Sequence, residues 1–333
     1  MAQYAFYPGC TLHSTGVEFG ASTDLVCHTL HIDLLEIPDW NCCGASSAHS
    51  MDPTLFLALP ARNLAQAQKV PSTSSGQVPS TSSGQVPSTS SGQVPSTGSG
   101  QAPSGSSELS LAIPCAACYS RLAAADLALQ QDGAFRARME SVLDFKYDGR
   151  VRPRSLLDIL ANDLSKEALT AKVKAPLEGL KVVAYYGCLL IRPPEYTGRW
   201  DDPEHPQTMD LLIGLMGAEA MPWSYGVDCC GGSLTLNRSD VVVHLVDRLA
   251  IAAHEAGADA LVTACPMCMA NVDGRQLYRG GPPLPRPPKP AYEPLPIFYF
   301  TELMALAYGL SLKKVLGKHL VDPRPLLGRL GLV

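Results

Sequence analysis

The residues that could do chemistry in this chain are its eleven cysteines, at positions 10, 27, 42, 43, 115, 118, 188, 229, 230, 265 and 268. Two pairs are adjacent, Cys42–Cys43 and Cys229–Cys230. Neighbouring Cα atoms lie about 3.8 Å apart across a trans peptide, short of the roughly 4.4 Å that ordinary disulfides span. Such a pair makes a poor structural disulfide and a good presentation of two thiolates side by side. Disulfide frameworks belong to small secreted domains, and this chain of 333 residues begins MAQYAFYPGC, with no basic or apolar export leader. The expectation is therefore a cytoplasmic protein whose thiols hold metal.

Written in order, ten of the cysteines form one pattern twice. The first half has Cys10, then Cys42-Cys43-Gly44, then Cys115-x-x-Cys118; the second has Cys188, then Cys229-Cys230-Gly231, then Cys265-x-x-Cys268. The approach to the first cysteine also repeats, as YAFYPGC at 4–10 and VAYYGC at 183–188. The first gaps agree, with 31 residues between Cys10 and Cys42 and 40 between Cys188 and Cys229. The second gaps are 71 and 34 residues, and the excess is a tract of four eight-residue repeats, VPSTSSGQ or VPSTGSGQ, over 70–101. With no charge and no apolar side chain beyond Val and Pro, the repeat tract has nothing to bury, and the insertion 70–107 is expected to be disordered.

Elements must bring these thiols together. Short β-branched or aromatic runs mark strands at 3–7, 33–37, 109–113, 181–186, 260–264 and 296–300. Helical periodicity marks 16–31, 53–69, 117–131, 154–163, 206–217, 239–256 and 300–309, with Pro60 expected to kink or split the second. Strands alternating with helices predict α/β architecture with parallel sheets. Two pseudo-repeated α/β domains are expected, at 1–145 and 179–310, joined by a connector at 146–178 and followed by a leucine-rich tail at 311–333. Cys10, Cys115, Cys188 and Cys265 each follow a predicted strand, where open α/β sheets build their sites. Gly44 and Gly231 would let the backbone turn tightly beside a bulky ligand.

Composition sets bounds on function. Net charge is −5, against the basic face of a nucleic-acid binder. No apolar run reaches the 18 or so residues of a membrane helix; LLIGLMG at 211–217 is among the longest. Five thiols per half exceed the four of a structural zinc or a cubane iron–sulfur cluster. Two accounts remain at this level: a four-thiol site with a spare cysteine in each half, or an iron–sulfur assembly more open than a cubane. The absence of histidine from the motifs favours iron–sulfur over catalytic zinc.

The doubled arrangement Cys–(n)–Cys-Cys-Gly–(n)–Cys-x-x-Cys resembles the cysteine-rich CCG domain family. YYGCLLIRP at 185–193, DDPEHPQTMDLL at 201–212, GADALVTACPMC at 257–268 and ARNLAQAQ at 61–68 are similar to the B subunit of heterodisulfide reductases. The resemblance covers nearly the whole chain outside 70–107. It implies two non-cubane four-iron–four-sulfur clusters, one on Cys10, Cys42, Cys43, Cys115 and Cys118, the other on Cys188, Cys229, Cys230, Cys265 and Cys268. One cluster with a zinc ion in the N-terminal site is the alternative. Two departures stand out: Leu189 occupies a position where many relatives have His, and the repeat tract interrupts the N-terminal motif.

The implied reaction is the two-electron reduction of a disulfide between two different thiols, each facing cluster taking one half of the cleaved bond. The chain has neither a ferredoxin C-x-x-C-x-x-C-x-x-x-C motif nor a G-x-G-x-x-G fingerprint. Electrons would therefore come from partners, a ferredoxin-like C subunit and a flavin-containing A subunit, with the tail as a docking candidate. Alternative functions are an electron-transfer subunit of a quinone-linked hydroxy-acid or succinate oxidoreductase, and a zinc-binding scaffold without redox activity. Arg192, beside the second site, is a candidate to hold an anionic substrate or bond to a cluster sulfur. Cys27 reads as a buried small side chain, His28 and His31 share no ligand spacing with it, and His49 reads as a loop-surface residue.

Overall fold

In the computed structural model the described residues are 2–45, 48–71, 108–278 and 292–332, without the side chains of residues 49 and 50. The insertion expected at 70–107 lies outside them except for residues 70 and 71, as does the side chain of His49. Among the described residues eight strands form two four-stranded, all-parallel sheets. The first is built from β1 (Ala2–Phe6), β2 (Ile32–Glu36), β3 (Leu109–Ile113) and β4 (Val151–Ser155), in the order β2-β1-β3-β4. The second, from β5 (Lys181–Tyr185), β6 (Glu219–Ala220), β7 (Ala260–Thr263) and β8 (Ile297–Tyr299), runs β6-β5-β7-β8. The expected fold class, two pseudo-repeated α/β units, is the one observed.

All six predicted strands are present. The two that were not predicted, β4 and β6, are edge strands. β6 is only two residues long, and β4 (VRPRS) carries two arginines and a proline, so neither shows the apolar run of a central strand. β4 lies in the segment read as a connector and pairs with β3 from Leu109↔Val151 to Ile113↔Ser155, so the first unit extends to at least Ser155. The central strands are buried on both faces, β7 along its whole length, because crossover helices cover each side.

The helix Pro53–Ala67 is not split at Pro60. It runs through that residue, which is buried, along with most of the face from Pro60 to Ala67. Packing of this face against the helix Ala116–Gln131 offsets the hydrogen bond that Pro60 cannot donate.

The halves pack through aromatic and polar contacts. Phe19, in the helix Val17–Thr29, stacks on Tyr299 with ring centroids 4.2 Å apart and meets the edge of Phe300 at 6.0 Å. Beneath them the hydroxyls of Ser22 and Thr301 share a buried 2.7 Å hydrogen bond. The tail is packed as well, with Leu312, Val315, Leu316, Leu326 and Leu327 buried. Its backbone N–H groups at Leu320 and Val321 donate to the Asp273 carboxylate at 2.7 and 2.8 Å.

Candidate functional site

Strand order places the thiols. In each sheet the chain leaves the first strand to one side and returns on the other, so the crossover direction switches between β1 and β3, and between β5 and β7. Loops diverge at such a point and leave a crevice beyond the carboxyl ends of the strands. Cys10 follows β1 and Cys188 follows β5, while Cys115 and Cys265 cap the helices Ala116–Gln131 and Pro266–Leu277 that follow β3 and β7. Cys118 and Cys268 sit in the first turns of those helices, whose N-termini favour negative charge. The two Cys-Cys-Gly turns lie in the loops ahead of the helices Pro53–Ala67 and Ser239–Glu255.

Each predicted set of five does converge. Cys10 and Cys42 sulfurs are 3.6 Å apart, Cys43 and Cys118 are 3.2 Å apart, and Cys230 and Cys268 are 3.6 Å apart. Thiol–thiol interactions also couple Cys42 to Cys43, Cys115 to Cys118, Cys188 to Cys229 and Cys265 to Cys268. One further coupling, Cys115 to Cys265, joins the two sets across the halves. All eleven cysteines are free thiols, and Cys27 joins neither set: it is 2% exposed in the core, its pKa pushed up to about 12 by burial.

Part of the scaffold around the thiols is duplicated. Tyr7 donates to the carbonyl of Asn41 and Tyr185 to that of Asp228, both at 2.8 Å, tethering the residue ahead of each Cys-Cys pair. Gly9 and Gly187 have φ of +70° and +67°, and a Cβ there would stand 3.1 Å from Cys118 Sγ and 3.0 Å from Cys268 Sγ. Gly44 and Gly231 adopt φ of +77° and +79°, and their amides donate to Cys42 and Cys229 sulfurs at 3.4 and 3.2 Å. The motifs pointed to Gly44 and Gly231 but not to Gly9, Gly187, Tyr7 or Tyr185. The signal for those four was the shared Tyr-x-Gly-Cys ahead of each first cysteine.

Interactions within the sets bias the thiols toward ionisation at Cys42 in the first half and at Cys229 and Cys265 in the second. Donation from Cys10, then from Cys43 and the Gly44 amide, holds Cys42 far below the usual thiol range. Cys229 is lowered to about 6 by Cys188 and by the amides of Gly231 and Gly232. Cys10 and Cys188, as donors, are pushed up. Behind the second set, the Asn271 amide donates to the Cys230 carbonyl at 3.1 Å and to its sulfur at 3.5 Å.

The donor chemistry fits a polynuclear thiolate-held group. Each half offers five sulfurs, with no imidazole or carboxylate interleaved, and leaves room beside the ligands by using glycine at four points. Among the described residues no three His, Cys, Asp or Glu side chains are gathered around a single metal-ion position.

Where the halves meet lies a cavity of ≈ 160 Å³, lined by all five thiols of the second set with Leu189 and Met267, and from the first half by Ala45, Ala116, Ala117 and Arg121 but by none of the first set's thiols. Leu189, the departure noted in the sequence, thus faces this space. Arg192 is not among the lining residues. Its Nε donates to the Pro203 carbonyl at 2.7 Å and its terminal nitrogen pairs with Glu204 at 2.6 Å. His28 and His31 are exposed, on the helix Val17–Thr29 and just beyond it.

Fold and site together define a doubled α/β protein with a thiol cradle at the switch point of each sheet. The family model for the cysteine-rich domain CCG matches residues 4–74 and 182–273. One copy of that domain is thus matched in each half. It is 27% identical over 324 residues to the 8-methylmenaquinol:fumarate reductase membrane anchor subunit of Wolinella succinogenes, covering 96% of this chain and 97% of that one. It is 25% identical over 317 residues to the B subunit of the ferredoxin/F(420)H(2)-dependent CoB-CoM heterodisulfide reductase of Methanosarcina acetivorans, covering 93% and 91%. Among solved structures, a hypothetical protein from Helicobacter pylori shares the fold with a TM-score of 0.66 at 13% identity, over 96% of this chain and 51% of that one. This chain thus spans about half the length of that solved relative. Among the described residues no helix is long and apolar enough to cross a membrane.

Proposed function

We propose that this chain is the iron–sulfur subunit of a multi-subunit oxidoreductase, and that a small-molecule disulfide is reduced to two thiols in the cavity where the halves meet against the second thiol set. The observation that carries this reading is the cavity against the five thiols of the second set, closed from the other half by Ala45, Ala116, Ala117 and Arg121. Cys10, Cys42, Cys43, Cys115 and Cys118 would hold one non-cubane [4Fe-4S] cluster, and Cys188, Cys229, Cys230, Cys265 and Cys268 the other. Bound there, such clusters supply electrons one at a time, and two of them side by side match the pair that a disulfide consumes. The chain's own part is positional. Gly9 and Gly187 keep side-chain bulk away from the ligands, Tyr7 and Tyr185 fix the Cys-Cys turns, and Ala45, Leu189 and Met267 give the cavity an apolar wall. A ferredoxin-like subunit and a flavin subunit would deliver the electrons, and eleven unpaired thiols suit a reducing compartment such as the cytoplasm.

A second reading is favoured by the apolar wall and by the fumarate reductase relative: the chain passes electrons between a quinone and a partner enzyme. Anaerobic purification from the native host, with iron, sulfide and zinc determined, tests the common part. About eight irons per chain are expected for two four-iron clusters. About four irons with one zinc would move the N-terminal site to the zinc alternative, and zinc without iron would overturn both redox readings. Oxidation of reduced viologen by disulfides, against oxidation by a short-chain menaquinone, then separates the two.

A further inference from the structure

Tyr299 closes β8 and is 0% exposed, yet its hydroxyl has no hydrogen-bond partner among the described residues. A serine or threonine hydroxyl can rotate to a nearby carbonyl, whereas a phenol oxygen stays at the tip of its ring. This ring is held in place by its stack on Phe19, the two planes only 5° apart. A Cβ on Gly16 would stand 3.3 Å from the hydroxyl and 3.4 Å from Pro266 Cβ. The hydroxyl therefore occupies the gap between the chain that follows Cys10 and the start of the helix that follows Cys265. Burial, with Glu18, Glu302, Cys265 and Cys115 acting on it, holds the group as a neutral phenol that can donate.

The duplicated sheets show what is particular to this position. Ile113 is in register with Ser155, and Thr263 with Tyr299. Ile113 and Thr263 each stand two residues ahead of a Cys-x-x-Cys, so Ser155 and Tyr299 are equivalent. Ser155 Oγ accepts from the Leu157 amide at 3.2 Å and caps the helix Leu156–Asn162. The second half puts a longer side chain there and carries its O–H to the joint where Cys115 and Cys265 meet. A buried hydroxyl without a partner forfeits hydration and recovers nothing, and phenylalanine would make the same stack without that penalty. An unpaired hydroxyl alone is not the signal. Tyr308 is also 0% exposed and unpaired at its oxygen, but no thiol acts on it. Placement sets Tyr299 apart.

We propose that the Tyr299 O–H donates a hydrogen bond to the sulfur-bearing group held at Cys265 and so makes the second centre easier to reduce. This rests on the iron–sulfur reading and applies whether a disulfide or a quinone is the substrate. Reduction adds negative charge to the sulfurs of such a group, so a donor facing them stabilises the reduced form more than the oxidised one. No proton leaves the tyrosine and no bond is made. The second set is the one that lines the cavity, so the bias draws electrons to the side where substrate would be met.

The test uses the full chain in its native complex, purified anaerobically and titrated with redox mediators while its paramagnetic signals are followed. The signal that changes in Cys229→Ser identifies the second centre. Tyr299→Phe keeps the ring and removes only the O–H. It should lower the reduction equilibrium constant of that centre roughly tenfold, about 59 mV for one electron, the scale of one hydrogen bond to a charged acceptor. Tyr308→Phe, which removes the other unpaired hydroxyl, should leave it within about twofold. Gly16→Ala, whose methyl crowds the Tyr299 hydroxyl, should shift it in the same direction as Tyr299→Phe. After exchange into deuterium oxide, electron–nuclear double resonance should find a deuteron coupled to the second centre that Tyr299→Phe lacks. Iron content and circular dichroism confirm that each variant is intact.

A potential that moves by less than about twofold in Tyr299→Phe overturns the proposal. So does a deuteron signal that survives the substitution, or an equal shift in Tyr308→Phe. Zinc without iron in the unaltered chain would bring down the iron–sulfur reading and the proposal together. An iron-loaded chain with an unmoved potential brings down the proposal alone.

Discussion

Replacing Gly44 with alanine should destabilise the first half far more than the equivalent change at Gly231 destabilises the second. Both residues lie in the left-handed region, at φ +77° and +79°, so both substitutions carry the same backbone cost, about 1–2 kcal/mol. The surroundings differ. A Cβ on Gly44 would stand 2.6 Å from Ala48 Cβ and 2.9 Å from Leu59 Cδ1, and the first of these is anchored directly to a helix backbone. A Cβ on Gly231 would stand 3.1 Å from Leu245 Cδ1 and from Val242 Cγ2, methyl groups that can shift by a few tenths of an ångström. Overpacking costs about 1–3 kcal/mol, with Gly44→Ala at the upper end and Gly231→Ala near the lower. The totals are about 3–5 kcal/mol against about 2–3 kcal/mol. Thermal unfolding followed by circular dichroism reads about 2–4 °C per kcal/mol for domains of 150–250 residues, so the midpoints should fall by roughly 6–20 °C and 4–12 °C, in that order. Gly133→Ala is the internal control: no atom lies within 4 Å of its Cβ position and its φ is not positive, so it should be neutral or stabilise by up to about 1 kcal/mol. A Gly44 variant no worse than the Gly231 variant would refute the steric argument.

Cys229→Ser and Cys230→Ser should each change the electronic spectrum attributed to the second cluster while the first persists, and Cys27→Ser should change neither. A second-half cysteine that proves silent in both spectrum and turnover would end the five-ligand assignment there. His319 is buried, which disfavours its charged form, but its 3.0 Å bond to Glu302, with Asp273 and Glu18 nearby, raises its pKa above 6.5. A raised folded pKa stabilises fully below the unfolded value and is lost as pH climbs through the folded one. The stability gap between the unaltered chain and Glu302→Gln, read from urea midpoints, should therefore be widest below about pH 6.5 and narrow above it, whereas a pH-independent gap contradicts this. Removing three repeat units, Val78–Gln101, should leave iron content and unfolding midpoint unchanged, because their composition offers nothing to bury; loss of the first cluster would show otherwise.

The ligand sets and the doubling were readable from the chain because they depend on local order. A cysteine three or four residues past a strand, and two more flanking a helix start, fall at the same end of a parallel sheet whatever the rest of the fold does. Arg192 and Arg121 show where that ends. Arg192 is four residues from Cys188 and looked nearer the chemistry, yet its guanidinium is committed to Pro203 and Glu204. Arg121 is three residues from Cys118, and nothing in the sequence separates it from a solvated helix residue.

Spacing along each half sufficed for the five thiols, the Cys-Cys-Gly turns and the parallel strands between them. Only the tertiary structure decided which thiols line the cavity between the halves, which arginine enters that lining, and what covers the leucine-rich tail. The reason lies in the interface. Phe19 against Tyr299, Ser22 against Thr301 and Cys115 against Cys265 join residues about 150–280 positions apart. Their meeting is set by how two amphipathic surfaces pack, a property of the assembled layers that no local pattern encodes.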